Sequence, residues 1–262
     1  MSETVKRAIS GIVYIVLLIS ATLYDALTFK ILFSFFMVVA AYEFSRLIQL
    51  SKYFCVGISL LAVGALFQSV VPLPINALVI ATFLILLAIT AELFTTRKPN
   101  RSLPIKVILF LGYVIGTFLA FLHLPYTAEG YQPQIVIGIL ILVWTNDTFA
   151  YIVGKKFGKH KLFERISPKK TIEGLLGGIV FAIIASLVLN QFFTSLNVYI
   201  WIASAIFVGL FGTLGDLVES HFKREAGVKD SGTIMPGHGG ILDRLDSILF
   251  ISPFLYIIFQ IL

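Results

Sequence analysis

The sequence has one cysteine, Cys55, among 262 residues. That excludes an internal disulfide and a cysteine metal cluster. Its four histidines, His123, His160, His221 and His238, show no zinc-ligand spacing. Charge is also scarce. Only 13% of residues are charged, where a soluble domain carries about 25%. With 58% hydrophobic residues and a mean hydropathy of +0.96, the composition excludes both a water-soluble globular protein and a disordered chain. There is no internal repeat, no low-complexity segment and no room for a separate soluble domain.

What is present is a series of long apolar runs. They fall at 8–24, 28–48, 53–71, 74–94, 104–124, 133–153, 174–194, 198–218 and 242–262. A helix of roughly 20 residues crosses the hydrocarbon core, and the alternation of a membrane barrel is absent. The expected fold is therefore an all-α, polytopic integral membrane protein with about nine transmembrane helices. The first run follows Lys6 and Arg7 like a signal peptide. It lacks a small-residue cleavage site and eight more runs follow, so it is read as a helix. Because Asp243, Arg244 and Asp246 open the last run, its membrane part is expected to begin near Leu245.

The basic residues orient these spans. Of the 20 Lys and Arg residues, all but Lys30 fall at the N-terminus or in and beside the loops after the even-numbered spans. By the positive-inside rule the N-terminus and those loops are cytoplasmic and the C-terminus is outside. The net charge of +6 is then largely topology plus an anion-receptive cytoplasmic face, and no nucleic acid is expected as partner. The chain reads as one membrane domain, 1–262, with N-terminal helices over 1–130 and a catalytic half over 131–262.

Polar residues concentrate in that second half. Asp216 stands at the cytoplasmic end of span eight, followed by Lys223, Arg224 and Lys229. Pro236-Gly237-His238-Gly239-Gly240 makes a flexible turn, and Asp243, Arg244 and Asp246 open the last helix. Asp243 and Asp246, three apart, share a helix face. Carboxylates beside a cation cluster suit a metal–polyphosphate site: the acids hold Mg²⁺ and the cations take the remaining phosphate charge. Glycines let backbone N–H groups approach phosphate at a helix start. Acidic residues contribute little to topology and are costly at a membrane edge, so the aspartates are read as functional. Arg244 pairs well with phosphate or carboxylate, while His238 either joins the site or caps the turn. For Lys155, Lys156 and Lys161, snorkelling and topology suffice. Asp147 lies inside an apolar run; it is either a functional acid or a hydrogen-bond partner of Asn146 or Thr148. Lys169 and Lys170 precede span seven as phosphate or headgroup contacts. Glu43 and Arg46 are three apart and are expected to pair.

The order Ser220, Lys223, Arg224, Lys229, Asp230, Gly232, Pro236, His238, Gly239, Gly240, Asp243, Arg244, Asp246 resembles the C-terminal signature of the bacterial phosphatidate cytidylyltransferases (CDP-diacylglycerol synthases). Met235 stands where Leu, Ile or Phe is usual. The stretches Asn146–Tyr151 and Ser167–Gly174 are similar to that family as well. The resemblance is strong over about 140–252. It implies that CTP and phosphatidate give CDP-diacylglycerol and pyrophosphate, with Mg²⁺, at the cytoplasmic face of the cell's inner membrane. It further implies metal binding by Asp216, Asp243 and Asp246, with Asp216 and Asp243 as the leading pair. Lys223, Arg224, Lys229, His238 and Arg244 then belong to the reacting site. Asp147, Ser167, Lys169, Lys170, Ser220, Gly239 and Gly240 contact substrate. A homodimer is plausible for such a protein, with no interface legible. Two other readings stay open: a CTP-dependent polyprenol or dolichol kinase, and a secondary transporter coupled through Asp147.

Overall fold

The computed structural model describes residues 3–68, 74–95, 101–193 and 195–261. The loop cations Arg97 and Lys98 and the outer loop at 70–73 lie outside the described residues. The chain is all-α apart from two small hairpins. Helix α1 is Glu3–Tyr24, α2 Ala26–Leu47, α3 Lys52–Phe67 and α4 Ile75–Leu93. Helix α5, Leu103–Phe110, continues through a π-helical turn at Leu111–Gly116 into α6, Thr117–His123. After the hairpin β1 (Tyr126–Thr127) and β2 (Gly130–Tyr131) come α7, Pro133–Phe157, and a second hairpin, β3 (Lys161–Phe163) and β4 (Ser167–Thr171). Helix α8 is Ile172–Phe192. Helix α9, Val198–Phe207, runs through a π-helical turn at Val208–Gly212 into α10, Thr213–Glu225, and α11 is Leu242–Ile261.

Among the described residues, seven helices are long and apolar enough to cross a membrane. The fold is thus a multi-pass, all-α membrane protein. Two of the nine expected spans differ from the rest. Helix α3 has only 16 residues, about 24 Å at 1.5 Å per residue. Helix α11 carries Asp243, Arg244 and Asp246 at its start.

Local chemistry sets several boundaries. Asp25 breaks α1 from α2 and caps α2: its carboxylate accepts from the Thr28 N–H at 2.6 Å, and the Thr28 hydroxyl completes the capping box. Thr171 caps α8 by accepting from the Gly174 N–H at 3.1 Å. The stretch 161–171 was expected only as a polar loop; it pairs as an antiparallel hairpin, Lys161 opposite Thr171 and Phe163 opposite Ser167. Strands this short carry no periodic signal, so the sequence did not announce them.

The helices form two compact units. One comprises Met1–Leu122 and Phe222–Leu245, the other His123–His221 and Asp246–Leu262. In the first, Phe29, Phe33 and Phe121 pack with ring centroids 4.6–5.8 Å apart, and Phe222 meets Phe44 and Tyr113 at 5.0 and 5.5 Å. Aromatic groups of this kind supply much of a core's packing. In the second, α7 and α8 pack closely through glycine. A Cβ at Gly177 would lie 2.7 Å from Val153, and one at Gly174 would lie 2.7 Å from the Ala150 carbonyl. Small residues that let backbones approach are the usual means of helix association in lipid.

Candidate functional site

The loop from α10 to α11 is built around two carboxylates of the first unit. Asp243 Oδ1 accepts from Lys223 Nζ at 2.6 Å. Its Oδ2 accepts from Ser231 N, Ser231 Oγ and Gly240 N at 2.8, 2.8 and 2.7 Å. Four donors therefore fill one carboxylate, which fixes the loop to the first turn of α11. Glu43, fully inside α2, is the second. It accepts from the backbone N–H groups of Ile241 and Leu242 at 3.1 and 2.9 Å, and Ser231 Oγ lies 3.3 Å away. The first N–H groups of a helix have no intrahelical partner and carry the positive end of its dipole. Glu43 is thus a helix cap supplied from about 200 residues upstream. It was expected to pair with Arg46, and its role here was missed. An acid inside an apolar run, the signal applied to Asp147, was present at Glu43 too.

The turn before α11 follows from its sequence. Pro236 and Gly237 occupy the second and third positions of a turn closed by His238 N donating to Met235 O at 2.9 Å. Gly237 has φ +75°, which a type II turn requires there and glycine accepts. Gly239 has φ +85°, and a Cβ there would lie 2.5 Å from Asp243 Oδ2. His238 Nδ1 lies 2.8 Å from Ser10 Oγ. The Ser10 hydroxyl can donate to the carbonyls of Arg7 or Pro236, each at 3.0 Å. Burial, then Arg244 and Arg7, hold the imidazole below its ordinary range. A cavity of about 310 Å³ opens here, lined by Arg7, Lys229, Asp230, His238 and Arg244 among others.

The expected cations therefore divide. Lys229 and Arg244 line the cavity. Lys223 is held by Asp243. Arg224 donates to the Val228 carbonyl at 3.2 Å, closing the end of α10.

A second charged group lies in the other unit. Lys170 Nζ, on β4, is 2.8 Å from Asp216 Oδ2, and Ser220 Oγ donates to Asp216 Oδ1 at 3.1 Å. Asp246 lies close enough to Asp216 and Asp147 to feel their charge, and to Lys170 to be attracted by it. Its Oδ1 accepts from Ser247 N at 2.6 Å. Asn146 Nδ2 donates to Asp147 Oδ1 at 3.2 Å, while Asn146 Oδ1 is buried against Gly178 without a partner among the described residues. Ser167 and Lys169 lie on β4. Glu173, within the Ser167–Gly174 stretch, accepts from the N–H groups of Lys159 and His160 and meets His160 Nδ1 at 2.6 Å, pinning the start of the hairpin.

The donors around Asp246 are all carboxylate oxygens with one lysine as counter-charge, a set whose chemistry suits a hard divalent cation. Asp243 differs in degree, because four donors fill its two oxygens where Asp216 has one on each. Among the described residues no group of three His, Cys, Asp or Glu side chains is gathered as a metal site.

Residues 5–262 match the cytidylyltransferase family. The chain is 44% identical to a phosphatidate cytidylyltransferase of Staphylococcus epidermidis over 167 residues, 63% of this chain and 64% of that protein. The protein of the same name in Staphylococcus haemolyticus matches at 44% over the same length. That of Staphylococcus aureus is 54% identical over 119 residues, 45% of this chain and 46% of its own. The matched region thus spans less than two thirds of each of these relatives.

Proposed function

The chain belongs to the cytidylyltransferase family, and on that premise we propose that it is a phosphatidate cytidylyltransferase, converting CTP and phosphatidate to CDP-diacylglycerol and pyrophosphate. The observation that carries the reading is a cavity lined by Lys229, Arg244 and His238 in a chain whose relatives bear that name. A lipid phosphate oxygen forms a bond to the α-phosphorus of CTP. The bond from that phosphorus to the β-phosphate breaks, and pyrophosphate leaves with the electron pair. The nucleophile is already an anion, so no serine or cysteine is needed, and catalysis is positioning and charge neutralisation.

Asp216 and Asp246 would hold Mg²⁺, which when bound neutralises triphosphate charge. Lys170 then keeps Asp216 in place. Asp243 is more heavily engaged than Asp216, with three donors on Oδ2 and Lys223 on Oδ1. Its contacts suit it to hold Lys223 and the loop, which presents Lys229 and Arg244 to phosphate. The reaction is proposed for the cytoplasmic face of the inner membrane, where the positive-inside rule puts the basic loops.

Purified protein incubated with CTP, phosphatidate and Mg²⁺ tests the reading. Label from the α-phosphate of CTP is expected in CDP-lipid. Label from the γ-phosphate in lipid would make the protein a kinase, and no conversion at all would leave transport.

A further inference from the structure

The cavity beside the Pro236–Gly240 turn has a wall that the signature does not supply. Arg7 belongs to the first helix, some 220 residues earlier in the chain, yet it lines the same cavity as Lys229, Asp230, His238 and Arg244. The loop is shaped to admit it. A Cβ at Gly237 would lie 2.5 Å from Arg7 Cγ, so the arginine stem runs across a residue that lacks a side chain. Three residues further along α1, Ser10 holds His238 at 2.8 Å. Among the described residues none of Arg7, Lys229 and Arg244 is engaged in an ion pair. Asp230 is the one carboxylate in the lining, and the imidazole between Arg7 and Arg244 is kept neutral by burial and by both guanidinium groups. The lining therefore carries a charge of about +2 at neutral pH, which matches a phosphate monoester dianion better than the singly charged phosphate of a diester.

Position along α1 identifies the source of that phosphate. The apolar window of α1 begins at Arg7 and ends at Tyr24, so Arg7 and Ser10 stand at the level where the hydrocarbon gives way to headgroups. The side of α1 turned away from His238 exposes Ile9, Ile12, Val13 and Val16, between 48% and 61% accessible, and so faces lipid. A phosphomonoester seated in the cavity is therefore at headgroup depth, from which acyl chains reach the hydrocarbon. A nucleotide has no chain to place there.

We propose that this cavity seats the phosphate monoester of the lipid substrate, and that Arg7, outside the signature, is one of the residues that bind it. The inference deepens the cytidylyltransferase reading and rests on it only for the identity of the lipid.

The test uses the full chain in detergent micelles, with dioctanoyl phosphatidate, CTP and inorganic phosphate as separate ligands. Arg7→Gln removes a charge-assisted contact and is expected to weaken dioctanoyl phosphatidate binding, and to raise KM for phosphatidate, by roughly ten-fold or more. KM for CTP should stay unchanged, and Arg7→Lys should restore much of the lipid affinity. Lys229→Gln should show the same lipid-specific loss, which keeps the test open if Arg7→Gln folds poorly. Inorganic phosphate should compete with phosphatidate and bind more weakly than it. A variant that weakens CTP instead would assign the cavity to the nucleotide and overturn the proposal. Equal loss of both ligands, no loss of either, or inorganic phosphate binding as tightly as the lipid would overturn it too. Arg7-dependent lipid binding by a protein that makes no CDP-lipid would remove the catalytic reading and leave the cavity's ligand standing.

Discussion

Glu43 shows how much one residue can organise. Its carboxylate accepts from two backbone N–H groups at the start of α11 and stands next to Ser231. Glu43→Gln replaces an acceptor oxygen with an NH₂ that would face an N–H. We expect a loss of about 1–3 kcal/mol, seen as a lower melting temperature in detergent, with Glu43→Asp intermediate. Asp216 and Asp243 should respond differently to magnesium. Asp216→Asn is expected to raise the Mg²⁺ concentration needed for half-maximal turnover. Asp243→Asn, which takes the carboxylate from Lys223, should lower turnover at every Mg²⁺ concentration. A right-shifted Mg²⁺ curve for Asp243→Asn would return it to the metal. His238 is held below its ordinary value near 6.5 by burial, Arg244 and Arg7. The fold disfavours its proton, so this contribution to stability is complete above about pH 6.5 and is lost as pH falls from there through the folded value. An NMR titration of the ring should give a midpoint below 6.5, and Arg244→Gln should move it upward.

At the scale of elements, glycines separate packed helices from loose ones. A Cβ at Gly178 would lie 2.5 Å from Asn146 Oδ1 and 2.9 Å from the Asn146 carbonyl, whereas one at Gly64 in α3 meets nothing within 4 Å. Gly178→Ala is therefore expected to cost about 1–3 kcal/mol through overpacking. Gly64→Ala should be neutral, or stabilising by up to about 1 kcal/mol from helix propensity. Melting temperatures of the two variants check this, and equal effects would deny the close α7–α8 contact. Most helices were legible because an apolar run in lipid has one hydrogen-bonded solution. The run expected at 133–153 is α7, Pro133–Phe157, and that expected at 174–194 is α8, Ile172–Phe192. The run expected at 198–218 extends to Glu225, since hydropathy marks where apolar residues stop and not where the helix ends. The π-helical turns at Leu111–Gly116 and Val208–Gly212 left no such trace. They adjust side-chain register inside runs that are apolar throughout.

For the whole molecule, the distribution of basic residues predicts an orientation in the membrane. Reporter fusions in the loop between α7 and α8 and after Leu262 are expected on opposite sides of the membrane, the loop inside and Leu262 outside. Signals from the same side would refute the orientation. The compact units change at Leu122/His123, and Phe222–Leu245 returns to the first of them. The stretch read as one signature is thus shared. Asp216 and Ser220 belong with Lys170, while Lys223, Ser231 and Asp243 belong with Glu43.

The sequence by itself determined the class of the protein, the position of most of its helices and the stretch where its acidic and basic residues gather. Hydropathy, the positive-inside bias and turn residues such as Pro236-Gly237 act locally, and local rules can be read along a chain. Only the tertiary structure decided which charges meet. An apolar period gives a helix but not its neighbours, so nothing in the order of residues brings Glu43 to the first N–H groups of α11, Lys170 to Asp216, or Arg7 across Gly237. Those pairings are settled by packing between segments far apart in the chain, where each carboxylate must find donors before it can be kept at the edge of a membrane.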